Sequence, residues 1–154
     1  MREFTARFAT GQEVAEWDSH VTANPSGGNL LQSEAFAEVK KDHGWKPVHV
    51  VYEPTDGSQP SYNLVLEKSV PVLGKLWYMI KGPDVASVDD IPGIVAANER
   101  FVAGAAHGVF AIKYEPEILA SDYAAGVLAR SGLVKSFEIQ PNDSTACLLY
   151  TSDA

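Results

Sequence analysis

The chain has 154 residues, of which 45% are hydrophobic and 21% charged, so it suits one globular domain with a core large enough to need no covalent staple. A net charge of −8 disfavours a stand-alone nucleic-acid binder, because neutralising phosphates requires a basic face. One cysteine, Cys147, excludes an internal disulfide. The four histidines (His20, His43, His49, His107) include no i,i+4 pair, which argues against a histidine metal site. No apolar run approaches the roughly 18 residues of a membrane span. The opening MREFTARF lacks the apolar stretch of a secretory signal, which points to the cytoplasm.

In chain order, the alternation over Glu3 to Phe8 predicts a strand. Thr10 with Glu13 forms a capping box before a helix whose inner face is Val14, Trp17 and Val21. Asn24 to Asn29 is a loop. Ser33 caps a second helix that stops at Gly44. Strands follow at Val48 to Tyr52, Tyr62 to Glu67 and Leu76 to Ile80, the first two joined by a turn at Thr55-Asp56-Gly57. A longer helix is expected from about Asp89 to His107. Its inner face is Ile91, Ile94, Val95, Phe101, Val102 and Ala105, its first turn holds Pro92, and Gly108 ends it. Val109 to Tyr114 is a strand, Ser121 to Ser131-Gly132 brackets a last helix, and Val134 to Ile139 is a final strand. The order β-α-α-β-β-β-α-β-α-β is that of an α+β fold with a mixed sheet flanked by helices, as in N-acetyltransferases (the GNAT fold). No G-x-x-x-x-G-K-[ST], H-E-x-x-H or G-x-S-x-G motif is present, nor is the Gly-rich turn that holds coenzyme A in ordinary acetyltransferases.

A set of linked segments stands out: Leu30-Leu31-Gln32-Ser33, Phe36-Ala37-Glu38-Val39-Lys40, Gly44-Trp45-Lys46-Pro47, Tyr78-Met79-Ile80-Lys81-Gly82-Pro83, Lys113-Tyr114-Glu115-Pro116, and Ile139-Gln140-Pro141 with Thr145. In this order and spacing they resemble the N-terminal domain of the FemABX family, the aminoacyl-tRNA-dependent transferases that build peptidoglycan interpeptide bridges. The resemblance implies an enzyme of two N-acetyltransferase-like domains. It would transfer an amino acid from aminoacyl-tRNA, its co-substrate, to the stem-peptide amine of a lipid-linked or uridine-diphosphate-linked muramyl pentapeptide. No other cofactor and no metal is implied. Transfer RNA would be met mainly by the second half, and the cytoplasmic location allows peripheral contact with the inner face of the plasma membrane. Two other readings stay open: an acyltransferase that uses coenzyme A or another carrier, and a non-enzymatic domain that binds a precursor or a protein.

The same resemblance supplies site residues. Lys40 matches the family lysine that contacts the precursor's phosphate. If Ala35, Phe36 and Val39 form the buried stripe, Lys40 lies on its flank and can lay its stem on the core, whereas Lys41 points to solvent. Lys81, at a strand end before Gly-Pro, would add a second positive charge near the precursor. Glu115 matches a position usually held by aspartate before proline and considered a base for the attacking amine; glutamate is one methylene longer, so its reach differs. The alternatives are a solvated helix lysine, a loop lysine and a strand-ending acid. Trp17, Trp45 and Trp77 are expected in the core, Gln32 and Gln140 in structural roles, and Gly27-Gly28 in a plain loop.

The last eight residues, CLLYTSDA, resemble one reading frame of the transposase adapter DNA used in sequencing libraries. The expected organisation is therefore an N-terminal domain over 1–146 followed by a non-native tail over 147–154, with the native sequence continuing beyond Ala146. The alternative is a natural strand end, since Leu148-Leu149-Tyr150 is apolar.

Overall fold

Five strands form one mixed sheet in the computed structural model, which describes residues 2–136. They are β1 (Phe4–Phe8), β2 (Lys46–Pro54), β3 (Ser61–Val70), β4 (Gly74–Met79) and β5 (Val109–Tyr114). Their spatial order is their chain order. The first four pair antiparallel, and β5 joins β4 in parallel through the crossover that contains α4 (Ile91–Gly104). The α+β architecture read from the sequence is the one observed.

Strand alternation sorts the core onto two faces. Val50, Tyr52, Val65, Trp77 and Met79 face α4, which offers Ile94, Ala97 and Phe101. Leu64, Leu66, Tyr78 and Ile80 face the other way. They pack against Trp17 and Val21 of α2 (Trp17–Thr22) and Ala37 of α3 (Glu34–Asp42), with Trp45 partly buried beside them. All three tryptophans thus serve the core. Asn98, buried on α4, takes a hydrogen bond from the Tyr52 hydroxyl at 3.0 Å and donates to the Tyr114 oxygen at 2.8 Å. This network ties α4 to β2 and β5, and burial pushes the Tyr114 phenol up to about 12.

The capping box forms as the sequence predicts. Thr10 accepts from the Glu13 amide at 3.3 Å and the Glu13 carboxylate accepts from the Thr10 amide at 2.7 Å. Glu13 also accepts from both terminal nitrogens of the Arg7 guanidinium, at 2.7 and 2.8 Å, and from the Tyr62 hydroxyl at 3.1 Å. The Arg7 pairing holds its carboxyl well below the usual carboxylate range. Its contribution is therefore fully present above that range and is lost only as pH falls through the depressed value. Thr10→Ala is expected to lower stability by about 1 kcal/mol, read by thermal unfolding; an unchanged midpoint would show that the box adds nothing.

The structure corrects several expectations. The single first helix is two: α1 (Gly11–Ala15) and α2 meet at Glu16, which leaves helical geometry. In α3 the buried residue is Ala37; Ala35 and Val39 are exposed, because only a narrow face of this short helix meets β2 and β3. The long helix ends at Gly104, not His107. The amides of Ala105 and Ala106 both bond the Phe101 carbonyl and close it, which exposes Ala105 and sends Ala106 into the core. The last helix, α5 (Asp122–Arg130), is capped by Ser121 as expected. Residues 134–136 are in no strand, and the rest of the expected final strand, with the 147–154 tail, lies outside the described residues.

The β3–β4 turn is unusual. Val72, β-branched and fully exposed, sits at φ 71°. That left-handed conformation costs a residue with a Cβ on the order of 1–2 kcal/mol.

Candidate functional site

The site grows from a split in the sheet. Leu66 pairs with Tyr78, and the ladder would next set Leu64 opposite Ile80. The side-chain amide of Gln32 lies between them instead. It accepts from the Leu64 amide at 2.6 Å and donates to the carbonyls of Leu64, at 3.3 Å, and of Ile80. The backbone carbonyl of Gln32 in turn accepts from the Trp17 indole at 2.9 Å. Gln32 is 1% exposed. The structural role expected of this residue is therefore a wedge that replaces a rung of the ladder.

Beyond the wedge the chain leaves β4. Lys81 adopts φ 53° and Gly82-Pro83 is a cis peptide. The Glu115 amide donates to the carbonyls of Gly82, at 2.8 Å, and Met79, at 3.2 Å, which fastens the end of β5 to the end of β4. Glu115 is almost buried, with its side chain 8% exposed. Its carboxylate accepts from the Tyr78 hydroxyl at 2.5 Å and lies 3.4 Å from the Lys113 ammonium. Burial, then the hydrogen bond to Glu115, raises the Tyr78 phenol far above its ordinary value, so Tyr78 remains a donor. Lys81, also largely buried, lies 3.3 Å from Glu117, which accepts from Asn29 at 2.8 Å.

The loop at Asn24 to Asn29 is fixed rather than loose. Ser26 donates to Asp84 through its amide, at 3.0 Å, and its hydroxyl. Gly28 sits at φ 72°, where a Cβ would come within 2.2 Å of the Val21 carbonyl oxygen. Its glycine meets a packing need.

The structure thus brings Lys81 and Glu115 together at the carboxyl ends of two parallel strands, a common place for ligands in folds with helices on sheets. Lys40 stands apart. Its ammonium lies over the Phe36 ring, 5.0 Å from the centroid, while Lys41 pairs with Glu38. From Glu34, two residues past the wedge, to Lys40 the chain rises about 9 Å along α3. Lys40 is half-buried and Lys41 exposed, which is the difference the sequence anticipated, although the stripe beside them is not the one expected. The sequence reading passed over Tyr78, Lys113 and Glu117. The first two were findable: Lys113 and Glu115 are two apart on one strand and so share a face, and Tyr78 lies three residues before Lys81. Among the described residues no cluster of three or more His, Cys, Asp and Glu could hold a metal ion. No helix there is long and apolar enough to cross a membrane.

No family model and no curated protein matches the chain. Among solved structures, the crystal structure of FemX is similar: TM-score 0.60, 27% sequence identity, with 82% of this chain and 31% of that chain covered. The chain thus spans less than a third of FemX. The segments from Leu30 to Pro116, the α+β sheet they build and this likeness agree, and the chain is FemABX-like.

Proposed function

We propose that this chain is the precursor-anchoring part of an aminoacyltransferase that moves an amino acid from aminoacyl-tRNA to the stem-peptide amine of a peptidoglycan precursor, on the cytoplasmic side of the membrane. The observation that carries this reading is the likeness to FemX, at 27% identity over 82% of the chain. In the reaction the neutral amine attacks the ester carbonyl. A carbon–nitrogen bond forms, the ester carbon–oxygen bond breaks, and the amine's proton ends on the ribose oxygen that leaves. The ester is already activated, so positioning supplies much of the acceleration.

Lys40 is assigned to the precursor's phosphates. An ammonium is a suitable point charge for phosphate, and its place over the Phe36 ring limits its wandering. Lys81 adds positive charge at the strand ends. Glu115 is assigned to receive the amine's proton, directly or through water, with Tyr78 and Lys113 holding the carboxylate in place. With a net charge of −8, tRNA contact is assigned mainly to parts of the enzyme beyond this chain.

Calorimetric titration with uridine-diphosphate-linked muramyl pentapeptide tests the anchoring role. Lys40→Ala is expected to weaken binding about tenfold, the size of one lost charge-assisted contact. Equal affinity of the two proteins would remove Lys40 from the site.

A further inference from the structure

We propose that the β3–β4 turn and the end of the sheet around it dock on an anionic lipid bilayer. The turn projects Val72 and Leu73 into solvent. Beside it, the β4–β5 register slips: Lys75 pairs with Val109 but Leu76 with Ala111, so Phe110 is left over as a bulge and is exposed. Three large apolar side chains therefore protrude at one end of the sheet. Val72 holds a conformation that glycine would adopt without strain, and its side chain is wholly in solvent. A strained residue that buries nothing in the fold indicates a role outside it.

Lysines surround this tip. Antiparallel pairing brings the start of β2, the end of β3 and the start of β4 to the same edge: Lys46 opposite Glu67, Lys68 opposite Leu76, Lys75 opposite Ser69. Lys40 and Lys41 close α3 nearby, so five of the chain's eight lysines gather at this end of a molecule whose net charge is −8. Three acids accompany them: Glu38 pairs with Lys41, Asp42 is exposed at the end of α3, and Glu67 is withdrawn. It is buried, accepts from the Trp77 indole at 2.9 Å, and lies 3.5 and 3.7 Å from the Lys46 and Lys75 ammonium groups.

An apolar point within a cationic collar fits a bilayer interface, where aliphatic groups pass the headgroups and ammonium groups meet lipid phosphates. A second copy docked through the same patch would set collar against collar. The Lys81–Glu115 end of β4 lies about 20 Å away along the strand, so the bilayer would not cover it.

The 154-residue chain would be sedimented with phosphatidylcholine vesicles, with and without phosphatidylglycerol. Partitioning is expected to be at least about tenfold stronger on the anionic vesicles. Lys68→Glu should reduce it about fivefold or more, the worth of one lysine at such a surface. Val72→Gly is the sharper variant: it relieves the backbone, so thermal stability should hold or rise while vesicle binding falls. Equal or absent sedimentation on both vesicle types would overturn the proposal, as would unchanged binding by Val72→Gly. Loss in that variant of a concentration-dependent dimer, without vesicle binding, would assign the tip to self-association and overturn it too. Lys40 belongs to both readings, but Lys68→Glu and Val72→Gly leave it in place, so titration with the soluble precursor reports on the transferase reading separately.

Discussion

Gln32→Ala is expected to lower the stability of the chain by about 4 kcal/mol in chemical denaturation. The side chain bonds both backbone groups of Leu64 and the carbonyl of Ile80, all of them buried. Truncation strands these groups, at roughly 1–3 kcal/mol for a buried polar group without its partner, and opens a void of several atoms. The alternative, closing the gap so that Leu64 pairs directly with Ile80, would drag Lys81 and the Glu115 amide with it, because the Glu115 N–H is bonded to Met79 and Gly82. A loss below about 1 kcal/mol would mean that the strands rejoin cheaply and that the wedge is incidental.

The second large effect lies on the opposite face. Gly93→Ala should destabilise by about 2–3 kcal/mol, although alanine is the better helix former by about 1 kcal/mol. A Cβ on Gly93 would come within 2.1 Å of the Arg2 carbonyl oxygen and 2.9 Å of the Phe4 ring. The first is backbone and cannot swing aside. β1 would have to lift from α4, which strains the Arg100 contact to the Phe4 carbonyl, at 2.8 Å, and the packing of Phe4 in the core. Increased stability would show that β1 is not held this closely.

Much of the fold was legible because local signals and burial agreed. Thr10, Ser33 and Ser121 each cap the helix they were expected to start, and β5 spans the residues the apolar run indicated. Misses fell where tertiary packing decides. Nothing local marks Glu16 as a break, and Ala35 and Ala37 are equivalent in composition while only one meets the sheet. The end of α4 was overrun because Ala105 and Ala106 are good helix formers, and only their shared bond to Phe101 shows that the turn closes there. The site was legible as segments and not as contacts. Lys81 and Glu115 were singled out separately, and their meeting depends on the parallel pairing of β4 with β5, a long-range event with no local signature. Lys40 was found by resemblance, and the structure sets it on the same face without joining it to the other two.

The wedge in the sheet is an amide. Unlike a carboxylate or an imidazole in the same position, it neither gains nor loses a proton across the physiological range. The separation of Leu64 from Ile80 is therefore indifferent to acidity, and the gap beside the Lys81 turn keeps one width whatever the charge state of its surroundings. Any dependence of binding on pH must arise from the groups that line the opening and not from the device that holds it open.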